Sequence, residues 1–170
     1  MPLRPKLRRA ASEPRLKIDS QPLPDVTQPQ MFETRLRVRY AETDQMGVVY
    51  HSNFIVWFEV GRVEMMRQLG FTYSEMEQQE GNHLAVADVR CRYKAPARYD
   101  DLILIRTHLM NVRDSLVHFG YEIFRDEDGT LLAEGESVHL VLDREFKRTR
   151  LSERYLPAFL KAAGKTVDSG

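Results

Sequence analysis

Between Asn53 and Leu69 the chain carries ten large apolar residues: Phe54, Ile55, Val56, Trp57, Phe58, Val60, Val63, Met65, Met66 and Leu69. At helical spacing they cover more than one face. A helix this apolar has to be wrapped by other structure, because a surface helix keeps a polar side of comparable width. The charges Glu59, Arg62, Glu64 and Arg67 fall at i,i+3 spacing on the remainder, which predicts the pairs Glu59–Arg62 and Glu64–Arg67. Gly61 forfeits about 1 kcal/mol of helix propensity in mid-helix, so a close backbone approach is expected there. Ser52 or Asn53 is placed to cap the start, and Gly70 to end the helix.

The rest of the chain supplies the wrapping. Phe32, Thr34, Leu36, Val38 and Tyr40 alternate with charged residues, the period-2 pattern of a half-buried strand. A short second helix is predicted at Tyr73–Gln79. Strands follow at His83–Lys94, Leu102–Met110, Ser115–Arg125 and Thr130–Leu142. In the first of these, Ala85, Ala87, Val89, Cys91 and Tyr93 are expected on one face, and Pro96 closes the run. Asp126-Glu-Asp-Gly129 reads as a hairpin turn between the last two. Long strands joined by short turns imply an antiparallel meander. A last helix is expected over about 152–163, kinked or restarted at Pro157. Together these give an α+β fold in which the sheet curls around the Asn53–Leu69 helix.

Residues 1–30 have another texture. They hold six of the eight prolines, no glycine and no aromatic residue, and six basic residues against three acidic ones. Such a segment cannot bury enough apolar surface to offset its ordering entropy, so it is expected to be a disordered arm. The domain is placed at 31–163, with a disordered tail at 164–170. With a formal net charge of zero, the whole chain gives no argument for nucleic acid. No apolar run reaches the ~20 residues of a membrane span, and residues 1–30 lack the apolar stretch of a secretory signal. The single cysteine, Cys91, excludes an intrachain disulfide and is expected to be a small buried thiol. The expected location is the cytoplasm. His83, His108, His118 and His139 lie on strand patterns at no metal-ligand spacing, so no metal is expected.

Chemistry concentrates between the first strand and the long helix. The run Arg39-Tyr-Ala-Glu-Thr-Asp-Gln-Met-Gly-Val-Val-Tyr-His51 places Asp44 and His51 just before a helix N-terminus. Backbone N–H groups point outward there, and the helix dipole favours developing negative charge. Acyl transfer needs that arrangement: a group that attacks or activates water, and fixed donors for an oxyanion. Asp and Gly before a helix are also ordinary turn and capping chemistry, and spacing alone leaves both readings open.

The residues Tyr40, Asp44, Gly47, Val49, Tyr50, His51 and Phe54, then Trp57, Glu59, Arg62 and Glu64, form a pattern that resembles the 4-hydroxybenzoyl-CoA thioesterase-like branch of the hotdog-fold family. Within it the pattern looks closest to the acyl-CoA thioesterases of the Tol–Pal cluster (YbgC type). Tyr93, Pro96, Tyr99 and Asp101 continue the similarity, which covers about 32–160. The resemblance implies a hotdog fold that dimerises by joining two sheets into one, with pairs of dimers forming tetramers in many members. It implies an acyl-CoA thioester hydrolase with active sites at the dimer interface. Asp44 would take the catalytic carboxylate position, with a backbone N–H near His51 as oxyanion donor. His51 would act as a second base or orient water, and Tyr40 would support the carboxylate. Gly47, Val49, Tyr50, Phe54, Trp57, Phe58 and Glu59 are the implied substrate contacts. Phe54 stands where many relatives carry tyrosine. Arg113, Lys147, Arg148 and Arg150 sit where the family places contacts to the phosphates of coenzyme A, which is part of the substrate; no separate cofactor is implied. Two alternatives accompany this reading: a hotdog hydratase or dehydratase acting on acyl thioesters, and a non-catalytic acyl-CoA-binding scaffold.

Overall fold

In the computed structural model, residues 28–165 are described. Residues 1–27 of the expected arm and 166–170 of the expected tail lie outside them. At the margins, the Gln30 N–H donates to the Ala162 carbonyl at 2.8 Å, and Lys165 Nζ reaches Asn111 Oδ1 at 2.6 Å.

The elements are β1 (Phe32–Arg37), a 3-10 turn (Tyr40–Glu42), α1 (Ser52–Gln68), α2 (Tyr73–Glu80), β2 (His83–Tyr93), β3 (Leu102–Arg113), β4 (Leu116–Arg125), β5 (Thr130–Leu142) and α3 (Leu156–Ala162). The strands form one antiparallel sheet in the order β1-β3-β4-β5-β2. The alternating residues Ile103, Ile105, Thr107 and Leu109 of β3, and Val117, Phe119, Tyr121 and Ile123 of β4, are buried. Against them α1 sets Phe54, Trp57, Phe58, Gly61, Met65 and Met66, a stripe at i, i+3/i+4 spacing. This is the hotdog arrangement, a curled sheet around one long helix.

Gly61 is where helix and sheet come closest. A Cβ there would lie 2.5 Å from Thr107 Oγ1 and 2.8 Å from Ile105 Cγ2, so only glycine allows the crossing. Of the two expected helix pairs, Glu64–Arg67 forms. Glu59 instead lies exposed on the helix, and Arg62 turns its Nε into a buried position with no hydrogen-bond partner among the described residues. Val56, on the second apolar face of α1, is half exposed. The wrapping is therefore one-sided within a single chain.

Several boundaries moved for identifiable reasons. The first strand stops at Arg37, because the chain turns into a 3-10 helix in which Glu42 accepts the Arg39 N–H at 2.7 Å. The expected alternation in β2 breaks at a bulge between Val86 and Asp88. By register Leu84 and Val86, opposite Val141 and His139, therefore turn to the inner side in place of Ala85 and Ala87, while Val89, Cys91 and Tyr93 keep that side. Of these five only Leu84 is buried, because the sheet edge at Val86 and Val89 is left uncovered. The last helix begins only at Leu156, with Pro157 in its first turn, where proline costs no hydrogen bond. Gly129 has φ +70°, as the hairpin turn requires.

The sheet has two unequal edges. β1 is short and faces solvent with Glu33, Arg35 and Arg37, charges that discourage pairing. β2 runs for 11 residues and exposes Val86, Ala87 and Val89. No helix among the described residues is long and apolar enough to cross a membrane.

Candidate active site

The loop between β1 and α1 is built around a residue that the sequence pattern did not single out. Glu42 is 5% exposed. Its carboxylate accepts hydrogen bonds from the Arg39 N–H, the Arg39 guanidinium (3.1 Å) and the Trp57 indole (3.1 Å). Burial pushes the carboxyl upward, but these donors outweigh it and hold Glu42 below the ordinary carboxylate value. The Glu42 carbonyl accepts the Tyr50 N–H and the Asn53 side-chain amide, each at 2.9 Å. One residue thus pins the loop to the first two turns of α1.

Held by that anchor, residues 43–49 close on themselves through a bridge between Thr43 and Val49. The Asp44 N–H donates to the Val48 carbonyl, and the Gly47 N–H to the Asp44 carbonyl, each at 2.9 Å. Gly47 adopts φ +73°, where a side chain would be strained. The Asp44 carboxylate accepts the Met46 N–H through Oδ1 at 2.8 Å. Its other oxygen has no hydrogen-bond partner among the described residues.

Asp44 and His51 come together in a cleft of about 450 Å³, with Val49, Tyr50, Phe54 and Tyr93 in its walls and Ala95 and Pro96 along one side. His51 is the residue before α1, with helical dihedrals and no side-chain cap bond. The N–H groups of His51 and Ser52 find no acceptor among the described residues, so the helix start offers two free backbone donors, and His51 lines the cleft with Asp44. The His51 carbonyl accepts the Tyr93 hydroxyl at 3.0 Å. Burial, reinforced by Cys91, pushes the Tyr93 phenol up to about 12, so it remains a donor at neutral pH. Phe54 meets the Tyr93 ring edge-on at 5.3 Å. The arrangement supplies a carboxylate, an imidazole and oriented N–H donors against an apolar wall, which is what hydrolysis of a polarised acyl group requires.

Other expected site residues lie elsewhere in this chain. The Tyr40 ring is 78% exposed and packs edge-on against Tyr99, away from the cleft; its carbonyl accepts both the backbone N–H and the hydroxyl of Thr43. Trp57 is buried and spends its indole N–H on Glu42. Phe58 is 1% exposed and stacks on Tyr121 at 4.3 Å, and Glu59 points to solvent. Arg113, Lys147, Arg148 and Arg150 gather at the far end of the sheet, beside the β3–β4 turn and beyond β5. Glu42, Met46 and Val48 belong to the loop and Tyr93–Pro96 to the end of β2. Glu42 carried one usable signal, a carboxylate three residues beyond Arg39 at a turn. Cys91 is half buried with its thiol pushed up by that burial, so it is no activated nucleophile. No metal-binding cluster exists among the described residues.

A single curled sheet around one helix, with a carboxylate and free backbone donors at that helix's start, defines a hotdog-fold protein of the thioesterase type. The chain belongs to the thioesterase-like superfamily, whose family model matches residues 38–162. It is 40% identical over 110 residues to the putative acyl-CoA thioesterase YneP of Bacillus subtilis, a match covering 65% of this chain and 78% of that protein. It is 32% identical over 135 residues to the acyl-CoA thioester hydrolase YbgC of Escherichia coli, covering 79% and 96%. Among solved structures, a DHNA-CoA thioesterase from Staphylococcus aureus shares 34% identity with a TM-score of 0.70, covering 78% and 87%.

Proposed function

We propose that this protein is an acyl-CoA thioester hydrolase that releases a carboxylic acid and free coenzyme A, with Asp44 as the group that attacks the carbonyl or activates water. The observation that carries it is that Asp44 shares one cleft with His51, at a helix start whose first N–H groups have no acceptor among the described residues. The thioester carbonyl would lie against those donors, which are worth most on the oxyanion formed in the transition state. His51 would orient the water or return a proton to the leaving thiolate. Val49, Tyr50 and Phe54 supply the apolar wall for the acyl group. The enzyme works in the cytoplasm, and the reaction asks for no cofactor, since coenzyme A enters as substrate.

The working unit in this reading is a homodimer. β2 is a long, exposed edge carrying Val86 and Val89, and a two-fold axis normal to the sheet pairs such an edge antiparallel with its own copy. That pairing also gives a use to the basic residues. Within one chain, Arg113, Lys147, Arg148 and Arg150 are separated from the cleft by the length of β2, about 33 Å at ~3.3 Å per residue. Antiparallel pairing brings this end of one protomer to the cleft end of the other. Free-thiol release from a panel of acyl-CoAs of differing length and head group tests the function. Release at enzymatic rates supports it, and absence of release across the panel refutes it.

A further inference from the structure

Phe146 combines two features that a solvent-facing aromatic residue rarely shows together. Its φ is +56°, in the left-handed region that is an outlier for a bulky side chain, and its surface is 73% exposed. The turn after β5 is built to keep it there. The Asp143 carboxylate accepts the N–H groups of Glu145 and Lys147, each at 2.9 Å, and the Phe146 N–H donates to the Asp143 carbonyl at 3.0 Å. The ring lies nearly parallel to the His83 imidazole, with centroids 5.6 Å apart and planes 16° apart. Strain of this kind persists where surrounding structure imposes it, and it concentrates at functional sites.

Lys147 follows Phe146 directly in sequence, and Arg148 and Arg150 continue the same segment, while Arg113 closes β3 at the same end of the sheet. Arg148 is steered by the Ser115 hydroxyl at 2.7 Å, and Arg150 meets Asp114 only loosely at 3.8 Å. An exposed aromatic face on a segment that also carries Lys147, Arg148 and Arg150 is the chemistry that holds a base carrying phosphates. Position matters as much as composition. His83 opens β2 and Tyr93, at the cleft, closes it, so the Phe146 turn lies a full strand away from its own cleft. When β2 pairs antiparallel with its copy about Asp88, the midpoint of the strand, His83 of one chain comes opposite the Tyr93 end of the other.

We propose that Phe146 stacks on the adenine of the coenzyme A bound in the other protomer's cleft, so that the enzyme selects thioesters that carry a nucleotide over those borne on phosphopantetheine alone. This rests on the dimeric thioester-hydrolase reading above.

The test compares wild type and Phe146→Ala on an acyl-CoA and on the matching acyl-N-acetylcysteamine thioester, which has the same scissile bond and no nucleotide. Sedimentation velocity on both proteins reports the dimer. Expected is a KM for acyl-CoA raised roughly 5- to 100-fold, the worth of one base–aromatic stack. Neither kcat, nor turnover of the truncated thioester, nor the dimer should change, and Phe146→Trp should restore KM. An unchanged KM for acyl-CoA, an equal loss on both thioesters, or a broken dimer would overturn the proposal while leaving the hydrolase reading intact. Wild type inactive on both thioesters would sink that reading and this proposal with it. Mixed dimers of Asp44→Asn with Phe146→Ala locate the ring. If it serves the other protomer, half of the sites keep both groups and show wild-type KM. A raised KM at every active site would place Phe146 on its own cleft and overturn the proposal.

Discussion

The indole Nε1 of Trp57 donates to Oε1 of Glu42 at 3.1 Å, joining the second turn of α1 to the loop that carries Asp44. Trp57 resembled a substrate contact because it follows the motif at helical spacing. In the structure it positions the residue that positions the site. Replacing Glu42 by Ala strands the buried Trp57 indole N–H and releases the Arg39 N–H, a loss of about 1–3 kcal/mol. The expected outcome is a lower Tm together with a lower kcat, since the loop loses its anchor. A variant with reduced Tm and unchanged kcat would show that the loop holds Asp44 without Glu42.

Glu42 also predicts an acid limb. Its folded pKa is held below the ordinary value of 4.5, so its stabilisation is complete above that value and is lost as pH falls through the folded pKa. Denaturant unfolding of Glu42→Gln against wild type should converge as pH is lowered from 5 towards 3. Parallel curves across that range would contradict the assignment.

His139 acts in a higher window. It is fully buried, its Nε2 bonds the Ser137 hydroxyl at 2.8 Å, and burial, aided by the nearby Arg62, lowers its pKa to about 4. The unfolded chain binds that proton at about 6.5, so stability is whole above 6.5 and falls as pH drops from 6.5 to about 4. Those two values correspond to a loss on the order of 3 kcal/mol. His139→Asn should flatten the profile between pH 7 and pH 4.5, and an unaltered slope would show that other groups set it.

Gly61→Ala sets two effects of known size against each other. Helix propensity gains about 1 kcal/mol. The new methyl would meet Thr107 Oγ1 at 2.5 Å, and overpacking of a tight core costs about 1–3 kcal/mol. Calorimetry should therefore show a lower Tm, and a higher one would mean that α1 can ride away from β3.

Phe58→Ala removes a ring stacked on Tyr121 in the closed core, at a cost of about 3–5 kcal/mol. The profile of kcat/KM against acyl length should keep its shape. A shift towards longer acyl chains would show that the acyl pocket reaches Phe58.

The fold was readable because its elements are long and their periods unambiguous. β5 fell at Thr130–Leu142 as expected, and α1 shifted by one residue at each end. What periodicity missed were local backbone events. A bulge in β2 leaves no mark in an alternating pattern until the partner strand is known, and the 3-10 turn at Tyr40–Glu42 continues the apparent alternation of β1. The site divided in the same way. Asp44, His51, Val49, Tyr50 and Phe54 share one cleft because they are close in sequence around the start of one helix. Tyr93–Pro96 reach it from 40 residues away, through sheet register that the sequence does not display. Burial separated Trp57 and Phe58 from the wall that Phe54 joins, although all three occupy neighbouring positions on α1.

Asp44→Asn bears most directly on the central claim. The amide oxygen can still accept the Met46 N–H, so the loop and Tm should be retained. Free-thiol release at saturating acyl-CoA should nevertheless fall in kcat by roughly 10²–10⁴, the range for removal of an acid–base group. A folded Asp44→Asn protein with more than half of wild-type turnover would contradict the account.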